Sequence, residues 1–334
     1  MPHSTSHATD RTQFYLFGSP IQHSLSPTFH NTLFKSLSLP NHSYTLHESA
    51  TFSSDPSILS LIKSKFFGGA AVTMPHKLDA LSLMDSVGDE VKEIGSMNTI
   101  LVLQGGKLEG RNTDVLGIRN ALLSTLSPGE LAGEDTNSPW GKGKSGAIIG
   151  GGGTTRAAIY ALSKMGLSPI YLINRDPEET TTIIASFPQY DLVALEEEDQ
   201  WTETEAAACE VVVGAIPSFE PQTEGEKKVY RIAEKVFKMG EEVVKKGEGR
   251  QRRILEMAYK PHQTRIRTLA LSYNWFTIGG IEALNHQAFA QQHYWLLDER
   301  TETYLPELAK LGEKLGEAEF ELAAREVRSK AGAV

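Results

Sequence analysis

The sequence predicts an α/β protein made of two domains. Its 334 residues are more than a single domain of roughly 100–200 residues usually contains. Short apolar stretches alternate with stretches of helical spacing, and this alternation is typical of βαβ units around a mostly parallel sheet. Four consecutive glycines at residues 150–153 follow one apolar stretch directly and lie where a helical stretch begins.

Composition excludes several classes of protein. With 40% hydrophobic and 22% charged residues, the chain is globular rather than disordered or fibrous. A net charge of −9 counts against nucleic acid as a partner and favours small molecules or other proteins. The single cysteine, Cys209, excludes an intramolecular disulfide framework and a multi-thiolate zinc site, and we expect it to be buried.

The apolar stretches are too short for a membrane span. No run of 18 or more apolar residues occurs, and residues 1–12 lack the basic start and the apolar stretch of a secretory signal. We therefore expect a cytoplasmic protein with no membrane partner, and a disordered tail over residues 1–12.

Strands and helices alternate in the first third of the chain. Apolar runs predict strands at 13–18, 43–47, 68–73 and 99–103, and helical spacing predicts helices at 28–35 and 55–65. The dipeptide Met74-Pro75 marks the turn into a further helix.

The rest of the chain begins with a change in composition. Turn-forming residues crowd together at 126–146, which predicts a surface excursion. Beyond it, strands are predicted at 147–149, 169–173, 210–213 and 254–257, and helices at 155–165, 227–246 and 305–330. The charges of the 227–246 segment fall largely on the solvent face of an amphipathic helix, and the short basic run at 250–253 carries little weight as a nucleic-acid patch.

The glycine run is the strongest local signal for a ligand. Gly150, Gly152 and Gly153 would let the backbone approach a pyrophosphate, while the following helix offers free N–H groups and the positive end of its dipole. A strand precedes the run, a helix follows it, and a second strand ends at polar residues about 20 positions later. This context predicts a Rossmann-type domain that binds a dinucleotide, although a tight turn without a ligand would use the same glycines.

The end of that second strand decides between NAD and NADP. Asn174, Arg175 and Asp176 stand there, with Glu178 and Glu179 close behind. A carboxylate accepts a hydrogen bond from the ribose 2′-hydroxyl and repels a 2′-phosphate, whereas an arginine favours the phosphate. The acidic residues favour NAD and leave NADP as the alternative. The same acids could instead serve only the N-terminus of a helix.

Two charged residues in the first third could carry proton transfer. Lys77 follows an expected strand end, and Asp114 lies in a polar patch at 110–117 after the predicted strand at 99–103. If the two met in a cleft, each would stabilise the other's charged form and could exchange a proton with a substrate hydroxyl. Each could equally be a solvated surface charge. The ten histidines show no metal-ligand spacing, so no metal site is predicted, and no Gly-x-Ser-x-Gly elbow supports a hydrolase.

Several motifs together resemble the shikimate/quinate dehydrogenase family. They extend in order over most of the chain, from about residue 17 to residue 295. The segments are GSPIQHSLSPTFHN at 18–31, FGGAAVTMPHK at 67–77, IGSMNT at 94–99, NTD at 112–114, EMAYKPHQT at 256–264 and GGIEALNHQA at 279–288. Six ordered motifs are far more specific than one glycine turn.

The resemblance implies both an activity and residue roles. The family oxidises one ring hydroxyl of a polyhydroxylated cyclohexane- or cyclohexene-carboxylate and passes hydride to a nicotinamide. Lys77 and Asp114 would then manage the hydroxyl proton. The other implied site residues are Ser24 and Ser26 for the substrate carboxylate, Thr73, Asn98 and Gln287 (with Asp114) for the ring hydroxyls, Tyr259 near carboxylate and cofactor, and Gly280 at the cofactor.

The departures from the family pattern bear on specificity. Ala71 stands where asparagine is common, Val115 where glycine is common, and Asp176 where NADP-preferring members have threonine. Residues 256–259 and 279–295 look more like fungal quinate-pathway proteins. The first expectation is therefore NAD-dependent oxidation of quinate or shikimate. The alternatives are an NADP-dependent shikimate dehydrogenase of aromatic amino-acid biosynthesis and a catalytically weak regulator or sensor paralogue.

The resemblance also implies that the two domains are not two consecutive halves of the chain. It implies a substrate-binding domain formed by residues 1–116 and 280–334 and a Rossmann NAD(P)-binding domain formed by residues 117–279. The expected partner is a small-molecule substrate, and the expected assembly is a monomer or a homodimer.

Overall fold

A computed structural model describes residues 11–131, 139–247, 250–305, 308 and 315–332. The chain separates into two compact units, Met1–Thr113 with Leu284–Val334 and Asp114–Ala283. The expected tail lies almost wholly outside the described residues. Among the described residues, no helix is long and apolar enough to cross a membrane.

The first unit contains a six-stranded mixed sheet. The strands, numbered along the chain, are β1 (Gln13–Gly18), β2 (Ser43–Glu48), β3 (Phe67–Val72), β4 (Ser86–Val87), β5 (Thr99–Val102) and β6 (Leu108–Arg111). Their order is β2-β1-β3-β5-β6-β4. β5 runs antiparallel to both its neighbours, and the other pairings are parallel. The prediction of a mostly parallel sheet is confirmed, but the polar patch with Asp114 follows β6, a strand that the sequence reading missed, and not β5.

The helices of the first unit begin where the sequence offers caps or proline. Its helices are α1 (Ser26–Ser36), α2 (Pro56–Ile62), a 3₁₀ helix (Asp79–Leu83), α3 (Asp89–Ile94), the larger part of α11 (Gly280–Leu297) and α12 (Glu317–Ala331). Asp55 caps α2 by accepting from the Ser57 N–H. The structure corrects two expectations: α2 ends at Ile62 instead of residue 65, and the turn after Met74 leads into a 3₁₀ helix. Of the helix predicted at 305–330, α12 is the part that the structure describes as an extended helix.

The second unit contains a six-stranded sheet in which all neighbours are parallel. Its strands are β7 (Ser145–Ile149), β8 (Ile170–Ile173), β9 (Leu192–Ala194), β10 (Cys209–Gly214), β11 (Arg253–Glu256) and β12 (Phe276–Gly279). The order β9-β8-β7-β10-β11-β12 reverses direction between β7 and β10. This is the Rossmann order, in which the strand ends on either side of the reversal form the ligand crevice. The predicted Rossmann-type domain is confirmed.

Helices flank this second sheet. They are α4 (Asp114–Leu123), α5 (Pro128–Leu131), α6 (Gly153–Lys164), α7 (Pro177–Ser186), α8 (Glu203–Ala208), α9 (Glu224–Lys245), α10 (Arg265–Ser272) and a 3₁₀ helix (Glu198–Gln200). The amphipathic pattern of α9 is confirmed, since Val229, Ile232 and Val236 are all buried. The predicted surface excursion is corrected at its ends: Leu126 and Trp140 are buried, and residues 132–138 lie outside the described part of the chain.

Two residues singled out for their chemistry are structural. Cys209 is buried at the start of β10, as predicted, and burial raises the pKa of its thiol to about 12. Arg252 points into the second unit, where it is 2% exposed and one guanidinium nitrogen donates to the carbonyls of Ala206 and Ala207, at 3.2 and 2.9 Å. The basic run therefore does not present Arg252 to nucleic acid.

Candidate active site

The glycine turn after β7 has the shape of an anion cradle. Gly150 has a φ of +135°, and a β-carbon on it would lie 2.8 Å from the Ala215 carbonyl oxygen, so this position requires glycine. Gly152 is the N-cap of α6 and has no side chain to cap the helix. A β-carbon there would have no described atom within 4 Å. The N-terminal N–H groups of α6 are therefore open to a negatively charged group, and the turn fits a pyrophosphate.

Asn174 directly follows β8, and acids stand at the start of α7. The Asp176 carboxylate accepts from the N–H groups of Glu178 and Glu179, at 3.0 and 3.1 Å, and so caps α7. This is the helix-terminal role that the sequence left open. Asn174 donates its side-chain N–H to the Glu179 carboxylate at 2.9 Å. The structure brings that carboxylate against Gly151, within the glycine turn.

Arg175 pairs with an acid of α9. Its guanidinium pairs with the Glu226 carboxylate at 2.6 Å. Glu226 belongs to the capping box at the start of α9. Donation from the N–H groups of Gln222 and Thr223, followed by the Arg175 contact, lowers the pKa of Glu226 to about 2. The partner of Arg175 on α9 is therefore an ionised carboxylate at neutral pH.

A buried acid stands at the end of β11, in the same sheet. Glu256 is 1% exposed, and burial raises the pKa of its carboxyl to about 7. Three smaller effects lower this pKa: a hydrogen bond from the Ala258 N–H, a hydrogen bond with Thr264 and the charge of Arg267. The carboxylate lies 2.7 Å from where a β-carbon on Gly214 would stand, at the end of β10. The sequence shows Glu256 only as part of the motif at 256–264, because a glutamate at a strand end gives no local sign of burial.

Two of the predicted site residues lie near Glu256, one of them along the chain and the other in space. Tyr259 follows it by three residues and is half-buried. Gly280 begins α11, and a β-carbon on it would lie 2.8 Å from the Glu256 carbonyl oxygen. These two residues and the glycine turn are placed along the carboxyl ends of one sheet, where Rossmann domains bind their ligands.

In the first unit, Asn98 is the centre of a buried hydrogen-bond cluster. Its side-chain oxygen accepts from the Thr99 hydroxyl at 2.8 Å and from the Thr113 N–H at 2.7 Å. Its side-chain N–H donates to the Gln287 oxygen at 3.0 Å, and the Thr113 hydroxyl lies 3.3 Å from that same oxygen. The oxygen of Gln287 is thus used within the protein, and its NH₂ group is the part suited to bind a ligand oxygen.

Gln291 contributes a further hydrogen bond to this cluster. It lies one turn after Gln287 on α11, is fully buried, and donates to the Thr99 hydroxyl at 3.0 Å. Because Thr99 accepts from Gln291, its own proton is directed to Asn98. Gln291 is a positioning residue that the sequence reading missed. The i, i+4 spacing from Gln287 was the signal that could have identified it.

The predicted serines lie at the start of α1. Ser26 is the buried first residue of α1, and its N–H donates to the Ser24 hydroxyl at 3.3 Å. The N-cap residue is Leu25, whose side chain cannot accept a hydrogen bond. Two hydroxyls at an uncapped, 11-residue helix N-terminus suit a carboxylate.

The loops after β1 and β3 are neighbours. The Ser19 N–H donates to the Met74 carbonyl at 3.1 Å, and Thr73 contacts Gly18. Lys77 follows in the second of these loops, and is half-buried. Its carbonyl accepts from the Met97 N–H at 3.0 Å, so its backbone adjoins the segment that carries Asn98.

Asp114 begins α4 in the second unit. It is 8% exposed and follows Thr113 directly in the chain. Its pairing with Lys77, a residue of the first unit, stays a prediction. Of the two positions where the sequence departs from the family, Ala71 is buried in β3 and Val115 is buried in α4. Among the described residues, no group of three or more metal-ligating side chains occurs.

The Rossmann unit and the first unit, which is rich in buried amides and hydroxyls, together have an oxidoreductase fold of the dehydrogenase type. A profile of the shikimate dehydrogenase substrate binding domain matches residues 16–100. The chain is 30% identical to the dehydroquinate dehydratase and shikimate dehydrogenase of S. pombe over 94% of its own length, with a TM-score of 0.69, and spans 52% of that protein.

Two bacterial enzymes are similar over nearly their whole length. The shikimate 5-dehydrogenase of Thermus thermophilus, solved in complex with NADP(H) and shikimate, is 25% identical over 94% of this chain and 99% of its own, with a TM-score of 0.66. The shikimate dehydrogenase of Aquifex aeolicus shares the fold at 24% identity over 95% and 97% of the two chains, with a TM-score of 0.70. The matched profile and these solved structures support a relationship with the shikimate/quinate dehydrogenase family.

Burial of Glu256 predicts a pH-dependent stability. The folded pKa of about 7 lies above the ordinary value of 4.5, so the folded protein holds this proton more tightly. The resulting stabilisation is complete below pH 4.5 and is lost as the pH rises through about 7. We expect Glu256→Gln to reduce the fall in the free energy of unfolding between pH 5 and 8 by roughly 2–3 kcal/mol, measured by urea titration.

An exposed carboxylate serves as the control for that measurement. Glu242 lies exposed on α9, and Glu242→Gln is expected to keep the wild-type pH dependence. If Glu256→Gln kept it as well, the carboxyl of Glu256 would not titrate in this range.

Proposed function

We propose that this protein is an NAD-dependent dehydrogenase that oxidises a ring hydroxyl of quinate, shikimate or both to the 3-dehydro ketone. The observation that carries the proposal is the Asn98–Gln287 hydrogen bond, which engages the Gln287 oxygen within the protein and makes its NH₂ group the part suited to a ligand oxygen. Both residues lie in segments that match the family's substrate motifs. A site built to hydrogen-bond several hydroxyls discriminates strongly against compounds that lack them.

The glycine turn supports a nicotinamide dinucleotide as the cofactor. Gly150, Gly152 and Gly153 would hold its pyrophosphate at the N-terminus of α6. When bound, its nicotinamide accepts the hydride that leaves the substrate carbon. Acids at the start of α7, and an Arg175 that is already paired with Glu226, favour NAD over NADP. The Thermus relative was solved with NADP(H), so NADP is the alternative cofactor for this chain.

Local groups must attract the substrate carboxylate, because the chain carries a net charge of −9. Ser24 and Ser26 would orient the carboxylate through their hydroxyls at the start of α1. Thr73 and Asn98 would bind ring hydroxyls together with Gln287. Tyr259 would lie near the carboxylate and the cofactor.

Lys77 and Asp114 would manage the proton of the reacting hydroxyl. As hydride leaves the carbon, the hydroxyl oxygen must lose its proton, and a positioned side chain accelerates this step by about 10²–10⁴-fold. Lys77 is half-buried and Asp114 is buried, so neither is a fully solvated surface charge. Their positions match the catalytic lysine and aspartate of the family.

Lys77→Ala tests the proposal. We expect kcat for quinate or shikimate oxidation to fall by about 10²–10⁴-fold, because one member of the proton-transfer pair is lost, while dinucleotide binding is retained. The assay follows absorbance of the reduced cofactor with quinate and shikimate, each paired with NAD and with NADP.

The exposed Lys65 provides a matched control, since Lys65→Ala removes the same charge from the same unit. We expect it to keep wild-type turnover. Undiminished turnover in Lys77→Ala would contradict the catalytic assignment, and wild-type protein that is inactive in all four combinations would contradict the proposed function.

Gln291→Leu tests whether the cluster around Asn98 positions the substrate groups. Losing the bond to Thr99 frees the Thr99 hydroxyl to rotate, so we expect KM for the ring substrate to rise by about tenfold with a smaller change in kcat. Gln292 is the matched control, because it is equally buried on α11 but bonds His30 at 2.8 Å instead of the cluster. Gln292→Leu should lower thermal stability without raising KM. A rise of equal size in both variants would indicate a structural effect alone.

A further inference from the structure

Glu90 and Arg111 form an ion pair beside the segment that leads to Asp114. The Glu90 carboxylate, on α3, accepts from the Arg111 guanidinium at 2.7 and 3.3 Å, and Arg111 is the last residue of β6. The two side chains are only 15% and 19% exposed. A guanidinium that donates two hydrogen bonds to one carboxylate has a fixed orientation as well as a fixed distance. Glu90 lies outside every motif that the sequence singled out.

The same carboxylate also holds the backbone of Asn112. The Asn112 N–H donates at 3.1 Å to the Glu90 oxygen that accepts the shorter bond from the guanidinium. The next N–H along the chain, that of Thr113, donates to the Asn98 side-chain oxygen at 2.7 Å. The two residues before Asp114 are therefore bonded one after the other, and Glu90 holds the first of them.

The guanidinium of this ion pair also contacts α11. Arg111 donates to the Tyr294 hydroxyl at 3.0 Å and lies over the Tyr294 ring, 4.6 Å from its centroid. Tyr294 lies about two turns after Gln287 on α11. The ion pair therefore ties the start of the 112–114 segment to the helix that carries Gln287.

The backbone at Gly88 leaves space for this ion pair. A β-carbon on Gly88 would lie 2.5 Å from Arg111 Nε and 2.5 Å from Glu90 Oε2. The φ of Gly88 is −63°, a value open to any residue, so space and not conformation requires glycine here. The Gly88 N–H donates to the Gly110 carbonyl at 3.0 Å and so holds the start of α3 against β6.

We propose that Glu90 is a positioning residue for Asp114. Its carboxylate fixes the Arg111 guanidinium and the peptide N–H of Asn112, and thereby fixes the point at which α4 begins with Asp114. A displacement of about 1 Å in a reacting group can cost about a hundredfold in rate. The inference rests on the proposed function in one respect, because it requires that Asp114 take part in proton transfer.

Steady-state kinetics of Glu90→Ala test the proposal, with quinate or shikimate and the dinucleotide that the wild type prefers. We expect kcat to fall by about tenfold to a hundredfold, because Asp114 is displaced. KM for the dinucleotide should stay within about twofold, because these contacts of Glu90 lie within the first unit. Glu90→Gln should recover most of the loss in kcat, since its one side-chain oxygen can accept from both Asn112 and Arg111.

Glu109→Ala is the matched control. Glu109 is buried and also accepts from Arg111, at 3.4 Å, but its other hydrogen bonds come from Ser86 and Arg300 and not from the Asn112 backbone. We expect this variant to lower thermal stability and to keep kcat within about threefold of the wild type.

A second variant reaches the ion pair without removing it. Gly88→Ala keeps Glu90 but places a methyl group against the carboxylate and the guanidinium, so kcat should fall as it does in Glu90→Ala. Thermal unfolding checks that each variant is folded. If alanine at position 90 is not tolerated, Glu90→Asp takes its place, because it withdraws the carboxylate by one methylene.

The outcomes distinguish this proposal from the function on which it rests. If the wild type is active and Glu109→Ala lowers kcat as much as Glu90→Ala does, or if Glu90→Gln recovers nothing, the assignment of Glu90 is wrong and the proposed function stands. If the wild type oxidises neither substrate with either dinucleotide, both are wrong.

Discussion

The buried side chain of Asn98 is the constraint on which the first unit depends. An amide that is 2% exposed must have its hydrogen bonds supplied by the protein, since an unpaired buried polar group costs roughly 1–3 kcal/mol. Its partners come from β5, from the segment after β6 and from α11, and the Gln287 contact closes a loop of 189 residues. The chain must therefore return from the whole Rossmann unit in a fixed register before the cluster is complete. That register also sets the Gln287 side-chain oxygen against Asn98.

In the second unit, backbone geometry rather than side chains forms the candidate cofactor site, which is the glycine turn. The strand order reverses between β7 and β10, and the turn at this reversal needs a glycine with positive φ beside Ala215. Side chains then tune the cradle that the backbone has made. One acid, Asp176, stabilises α7, and a second, Glu179, approaches the turn because α7 begins where it does.

Sequence reasoning was strongest where the signal is local. The position of the glycine run between a strand and a helix, the amphipathic α9 and the burial of Cys209 are confirmed, because chain-local spacing and composition determine them. It missed β6, a four-residue strand with the sequence LEGR. This segment has a glycine and two charged residues, so its strand conformation depends on pairing with β5 and not on local sequence. It also missed the support that Gln291 gives to Thr99 and the burial of Glu256, because both depend on residues distant in the chain or on burial by the folded unit. The family motifs identified candidate residues, and the structure supplied the hydrogen bonds that relate them.

A double-mutant cycle between Gln287 and Gln291 tests the central claim most directly, namely that one buried hydrogen-bond chain positions the substrate groups. The two side chains are joined through Thr99 and Asn98. The measurement is kcat/KM for the ring substrate in Gln287→Leu, Gln291→Leu and the double variant. The chain of hydrogen bonds predicts a coupling energy of about 1 kcal/mol or more, since the effect of Gln291 passes through Gln287. Additive effects, within about 0.5 kcal/mol, would contradict the account.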